Sequence, residues 1–171
     1  MTDKNLLVIT PHRKEPGKQR IAAYCRVSSR SDEQLNSLTN QINFYRSLFE
    51  NDDTVVFVGI YAEEGLSGTQ AESRPQFMKM IEDCRSGLID CIRTKSVSRF
   101  GRNTVDTLIY TRELRSLGID VFFEKENIHS TESSGELMLT LMAAFAESES
   151  ETMSENIKWG KRRRYEQGIT G

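Results

Sequence analysis

Apolar residues along this chain come in short blocks that alternate with helical periodicity. "IAAYCRV" (Ile21–Val27) has the length and continuity of a strand buried on both faces. "DEQLNSLTNQINFYRSLFE" follows, with Leu35, Leu38, Ile42, Tyr45 and Leu48 spaced as one face of a helix. "TVVFVGIYA" (Thr54–Ala62) predicts a second strand, and "RPQFMKMIEDCRSG" a helix stopped by Gly87. "IDCIRTKSV" (Ile89–Val97) predicts a third strand, "NTVDTLIYTRELRSLG" a helix stopped by Gly118, and "IDVFFEK" a fourth strand. Strand–helix alternation of this kind predicts an α/β fold, a mainly parallel central sheet flanked by helices. From about Ser134 to Gln167 the pattern is helical without a break, apolar at Leu137, Met138, Leu141, Met142 and Phe145 and then mostly polar. Such a helix would run roughly 50 Å, so its far half outreaches its own core and is expected to meet a partner.

Four segments follow from this pattern: a leader over 1–19, a core over 20–133, the long helix over 134–167 and a linker-like stub over 168–171, as in the amino-terminal part of a longer protein. Arg93 stands inside the third predicted strand, where an aliphatic residue is expected.

Composition narrows the chemistry. The 171 residues are 37% hydrophobic and 28% charged, with a formal net charge of −2. That balance suits a soluble cytoplasmic domain with no spanning helix, and any nucleic-acid contact must rest on local clusters. Cys25, Cys84 and Cys91 lack CxxC spacing and read as buried thiols, not zinc ligands or disulfides. His12 and His129 are the only histidines, too few for a His-based triad or zinc site.

Sites in parallel α/β sheets gather beyond the carboxyl ends of the strands. The first such end carries "YCRVSS": by strand alternation Arg26 and Ser28 share a face and Ser29 points away, toward nearby backbone. The second is "EEGLSGTQAESR", with Arg74 near the start of the next helix. At the third, "SVSRFGRN", a helical turn would put Arg99 and Arg102 on one side. Four guanidinium forks suit phosphate oxygens, and a serine among them suits attack on phosphorus, with arginines doing the work of the missing base. The residues therefore point to phosphoryl transfer on a phosphodiester through a covalent phosphoserine. Two rivals are a metal-dependent nuclease using Glu63, Glu64 and Asp90 or Asp106, and a non-catalytic DNA-binding or assembly module.

"YCRVSS", "GLSGTQAESRPQF", "KSVSRFGRNTVDTL" and the Gly-Glu-Leu-Met start of the last helix resemble, in consistent order, the catalytic domain of serine recombinases, the resolvase/invertase superfamily. The leader, "SRFGRN" and "SENIKWGKRRR" look like the large serine recombinases that move conjugative or mobilisable transposons. The resemblance implies that Ser28 attacks the scissile DNA phosphate, leaving a 5′-phosphoserine and a free 3′-hydroxyl. Arg26, Arg74, Arg99 and Arg102 match the family's phosphate-binding arginines, and Gln41 a supporting polar residue. It implies no metal or nucleotide cofactor, homodimers that pair into tetramers through the long helix, and double-stranded DNA as partner. Further DNA-binding domains, often with a zinc ribbon, usually follow the catalytic domain. Ser98 stands where many relatives have aspartate, as is usual in the large subgroup, and Asn156 where small resolvases have arginine. The basic run Lys161, Arg162, Arg163 and Arg164 either complements the helix dipole or meets DNA, and the resemblance favours DNA.

Overall fold

The computed structural model describes residues 14–29, 31–64 and 74–166. The 1–13 part of the leader, with His12, the loop 65–73 and the stub 168–171 lie outside the described residues. In chain order the elements are β1 (Gln19–Arg26), α1 (Asp32–Phe49), β2 (Val55–Glu63), α2 (Pro75–Arg85) and β3 (Cys91–Thr94). They continue with α3 (Val97–Phe100), α4 (Thr104–Ser116), β4 (Asp120–Phe123), β5 (Ile128–His129) and α5 (Ser133–Glu166). The strands form one sheet ordered β2-β1-β3-β4-β5, parallel except for β5, which runs antiparallel to β4.

β1 is an internal strand, apolar from Ile21 to Cys25 because both its faces are covered. Ile21, Ala23, Cys25 and Val27 pack with Leu38, Ile42, Tyr45 and Phe49 of α1. Ala22 and Tyr24 face the other way, into Phe77, Met80 and Ile81 of α2, Phe100 of α3 and Leu114 of α4. The three cysteines are buried and unpaired as expected, their thiols pushed up to about 12 by burial. Ser31 caps α1, its hydroxyl accepting from the Gln34 amide at 3.4 Å, and α2 and α4 give way at Gly87 and Gly118.

Four expectations are corrected. The third strand stops at Thr94, because "SV" turns away from the sheet and Val97 opens α3. The fourth spans only Asp120–Phe123, and its chain turns through Asn127 (φ 53°) into the two-residue β5, which periodicity does not reveal. Leu48 is exposed, and Phe49 fills the core in its place. Arg93 is half-buried beside an opposite charge and an aromatic face: its Nε lies 3.2 Å from Glu124 Oε1, although neither atom makes a hydrogen bond among the described residues, and its guanidinium stands 4.3 Å above the centre of the Phe122 ring.

α5 is one helix of 34 residues. Leu139 seats its first turns in the core, where α5 lies on α4 and β5. Solvent reaches its apolar side earlier than the sequence suggests, since Leu137, Leu141 and Phe145 in the first half are more than half exposed at 61%, 53% and 65%.

Candidate active site and nucleic-acid interface

Arg26 closes β1 and staples the strand to the segment around α3. Its Nε donates to the Arg99 carbonyl at 3.0 Å, and its Nη2 to the Ser98 carbonyl at 2.6 Å and that of Gly101 at 3.4 Å. Gly101 lies so close to Thr107 that a Cβ there would collide with the threonine hydroxyl, which lets the chain turn tightly from α3 into α4. Burial lowers the pKa of Arg26 from its ordinary value, and the positive charges of Arg74 and Arg99 push it the same way.

Arg74, at the N-cap position of α2, reaches the same segment from the other side. Its Nη1 donates to the Phe100 carbonyl at 2.6 Å, its Nη2 donates to Asp106 Oδ2 at 2.5 Å, and its guanidinium lies 3.8 Å over the Phe77 ring. Asp106 also accepts from the Arg102 backbone N–H at 3.0 Å and from Arg102 Nη2 at 3.3 Å. One buried carboxylate thereby holds two arginines. Glu63, at the carboxyl end of β2, does similar work nearby: it accepts the Tyr24 hydroxyl at 2.6 Å and the Gln76 amide at 2.9 Å, fixing the start of α2 beside Arg74. The Tyr24 hydroxyl is accordingly held well above its usual range, by burial first and then by the Glu63 charge.

Arg26 and Arg74 thus reach residues 98–106 at the carboxyl rim of the sheet, the segment that itself carries Arg99 and Arg102, although not as the spacing suggested. α3 closes at Phe100 and Gly101 is extended (φ −103°, ψ 155°), so Arg99 and Arg102 do not share a helical turn. Ser28 is exposed in the bend after β1, two residues past Arg26. The strand ends before it, so alternation does not fix its direction. Ser29 meets the Ser31 hydroxyl at 3.3 Å, not backbone. Gln41 belongs to the α1 face, buried, with neither amide atom hydrogen-bonded among the described residues. Lys161, Arg162, Arg163 and Arg164 are exposed on the last turns of α5, and Arg163 stacks 5.0 Å from the Trp159 ring centre.

The carboxylates considered for metal binding are dispersed. Glu63 and Asp106 are engaged as above, while Asp90 pairs with Arg20 at the amino end of the sheet. Among the described residues no three His, Cys, Asp or Glu side chains come together as a metal site.

Asp106 and Glu63 escaped sequence reasoning as organisers of the arginines. For Asp106 a signal existed: "NTVD" puts Asn103 at a helix N-cap and an acidic residue three places on, and the Asn103 side chain does accept from the Asp106 amide at 2.8 Å.

A mainly parallel sheet with an arginine-lined rim and a protruding terminal helix defines the class of serine recombinase catalytic domains. A solved resolvase family site-specific recombinase from Streptococcus pneumoniae matches with a TM-score of 0.73 at 28% identity, over 87% of this chain and 99% of that one. The solved N-terminal catalytic domain of TP901-1 integrase matches with a TM-score of 0.57 at 28% identity, over 78% and 98%. The chain belongs to the family described as "Resolvase, N terminal domain", whose profile matches residues 21–170. Transposon Tn552 resolvase of Staphylococcus aureus is 32% identical over 140 residues, 81% of this chain and 64% of the relative. Transposon Tn552 DNA-invertase BinR of the same organism is 36% identical over 98 residues, 56% and 50%. The chain therefore spans between half and two thirds of the length of these curated relatives.

Proposed function

We propose that this chain is the catalytic domain of a site-specific DNA recombinase whose nucleophile is Ser28. The observation that carries the reading is that Arg26 and Arg74 both bond to the rim segment 98–106 that carries Arg99 and Arg102, and that the exposed Ser28 follows Arg26 by two residues, in a chain of the resolvase family. In the proposed step the Ser28 Oγ–P bond forms as the P–O3′ bond breaks. The serine proton leaves Oγ, and the departing 3′-oxygen is protonated to a hydroxyl. Arginine charge stabilises both the incipient alkoxide and the pentacoordinate phosphorus. One phosphodiester replaces another, so the 3′-hydroxyl of an exchanged strand can reverse the reaction without a nucleotide or metal cofactor. His129 lies on the edge strand with its Nδ1 2.5 Å from Asp120 Oδ2, and arginine takes the place of a histidine base.

The surrounding assignments belong to the same proposal. Residues 20–133 form the catalytic core, with Gln41 supporting the rim from the α1 side. The long helix pairs protomers into dimers and tetramers and carries Lys161, Arg162, Arg163 and Arg164 toward double-stranded DNA. The substrate is a mobile element excised or integrated in the cytoplasm, and the chain falls in the large serine recombinase subgroup, supported by its "SRFGRN" and "SENIKWGKRRR" patterns. Among the described residues no helix is long and apolar enough to cross a membrane. The test is a denaturing gel of protein incubated with recombination-site duplex. A protein–DNA adduct should form with wild type and Ser29→Ala and disappear with Ser28→Ala. A folded wild type that binds the duplex yet never forms an adduct would instead establish a non-catalytic module.

A further inference from the structure

On the α1 face of the sheet, just beyond the carboxyl ends of β3 and β4, lies a cleft of about 400 Å³ lined in part by Gln41, Phe44, Tyr45, Lys95 and Glu124. That volume is in the range of small-ligand sites. Gln41 in its wall is only 9% exposed, yet its Nε2 and Oε1 have no hydrogen-bond partner among the described residues. Both amide atoms are shut off from solvent, and buried amides are nearly always paired in folded proteins, so this donor and acceptor call for a partner that the described residues do not supply. At the mouth, the ring of Phe44 is 52% exposed and sits edge-on to Tyr45, 5.1 Å between centroids. Lys95 is exposed there, while burial shifts Glu124 toward its protonated form against the opposing charge of Arg93.

We infer that this cleft binds an unstacked nucleotide of the DNA substrate, with the Gln41 amide on the base edge, Phe44 against the base face and Lys95 at the phosphate. A side-chain amide offers the donor–acceptor pair that matches adenine N7 and N6. Aromatic rings at a cleft mouth bind unpaired bases through their π-faces, and an ammonium suits the attached phosphate as a point charge. Position fits as well: β1, β3 and β4 are neighbours in the sheet, so the cleft opens on the same carboxyl rim as Ser28. The inference rests on the strand-transfer reading, because breakage at Ser28 leaves the terminal base of the 3′-end with a covalent neighbour on one side only and so easier to unstack. A pocket on that rim would hold the end in place until it is rejoined.

The test uses the isotope-labelled chain titrated by NMR with deoxyadenosine 5′-monophosphate, and separately with 2-deoxyribose 5-phosphate. The inference expects saturable shifts of the Gln41 side-chain amide and of Phe44 with the nucleotide and not with the sugar phosphate. Gln41→Leu should weaken nucleotide binding at least about fivefold, and Lys95→Met should weaken binding of the nucleotide but not of deoxyadenosine. Each variant counts only if the rest of its spectrum matches wild type, and Gln41→Glu provides a second probe should the leucine variant misfold. Equal shifts with both ligands would reduce the site to an anion site and overturn the base assignment. Shifts confined to Arg26, Arg99 and Arg102, or no saturable shift at about 10 mM nucleotide (a weaker affinity than any specific site of this size should show), would overturn it too. The readout is equilibrium binding. Loss of the Ser28 adduct with nucleotide binding intact defeats the strand-transfer reading alone, and the reverse pattern defeats this inference alone.

Discussion

Asp106 carries more of the site than any single arginine. It is 8% exposed and neutralises Arg74, whose side chain is 6% exposed, while also binding the backbone and side chain of Arg102. Removing one partner of such a buried pair strands the other charge, so Asp106→Ala should cost about 3–5 kcal/mol in urea unfolding. Asp106→Asn keeps an acceptor for the Arg102 amide and should cost less. With the ion pairs to both guanidiniums lost, the asparagine variant should hold them less firmly and form the serine–DNA adduct about a hundredfold more slowly. Adduct formation at the wild-type rate would remove Asp106 from the positioning of the rim. At this scale the sequence pointed to the guanidiniums and the hydroxyl but not to what orients the arginines. The carboxylate that holds Arg74 is 32 positions away along the chain, and no periodicity reports a contact of that range. Asp106 drew notice only as a possible metal ligand, a role its two arginine partners already supplant.

Among the elements, β1 was legible because it is apolar on both faces, and α1, α2 and α4 because their apolar positions recur at helical spacing. β5 was not, since two residues have no period and their pairing depends on the turn at Asn127. The expected third strand ran on to Val97, the first residue of α3, although the polar Lys95 and Ser96 before it mark where the chain leaves the sheet. Two predictions belong here. Leu139, at 4% exposure, anchors the root of α5, and Leu139→Ala should destabilise the fold by about 2–5 kcal/mol, read as a fall in the urea midpoint. A change under 0.5 kcal/mol, the size usual for surface sites, would mean that α5 is not fastened there. The second concerns the Arg20–Asp90 pair that joins β1 to the start of β3. Hydrogen bonds from Arg20 depress the Asp90 pKa below its ordinary 3.8 against the opposing effect of burial. A depressed carboxyl contributes stability that is whole above its unfolded value and is lost as pH falls through the lower folded value. Asp90→Asn should therefore flatten the acid limb of the stability profile below about pH 4 and lower stability at pH 7. An unchanged acid limb would show that the pair is not coupled to folding.

For the whole molecule, the long helix is the part that a lone chain does not explain. Leu137, Leu141, Phe145, Met153 and Ile157 fall on one row of residues four apart, interrupted at Glu149, and all are more than half exposed. An apolar row of this length fits a second copy of the chain better than water. Sedimentation should show dimers or larger species at micromolar concentration, shifted toward monomer by Phe145→Glu without loss of the core's melting transition. A wild type that stays monomeric at such concentrations would contradict self-association through α5. The sequence foretold the length of the helix and its overreach. It did not foretell how early the exposure begins, because Leu137 and Leu139 look alike in a pattern and only packing decides which is buried.

The account stands or falls on the atom that joins protein to DNA. Wild-type protein should be incubated with a duplex library of varied central sequence, denatured and digested, and the peptide that retains a nucleotide sequenced by mass spectrometry. The account predicts a deoxynucleotide esterified through its 5′-phosphate to Ser28, in the peptide that follows β1. Attachment at any other residue, or an undiminished yield of adduct from Ser28→Ala, would contradict it.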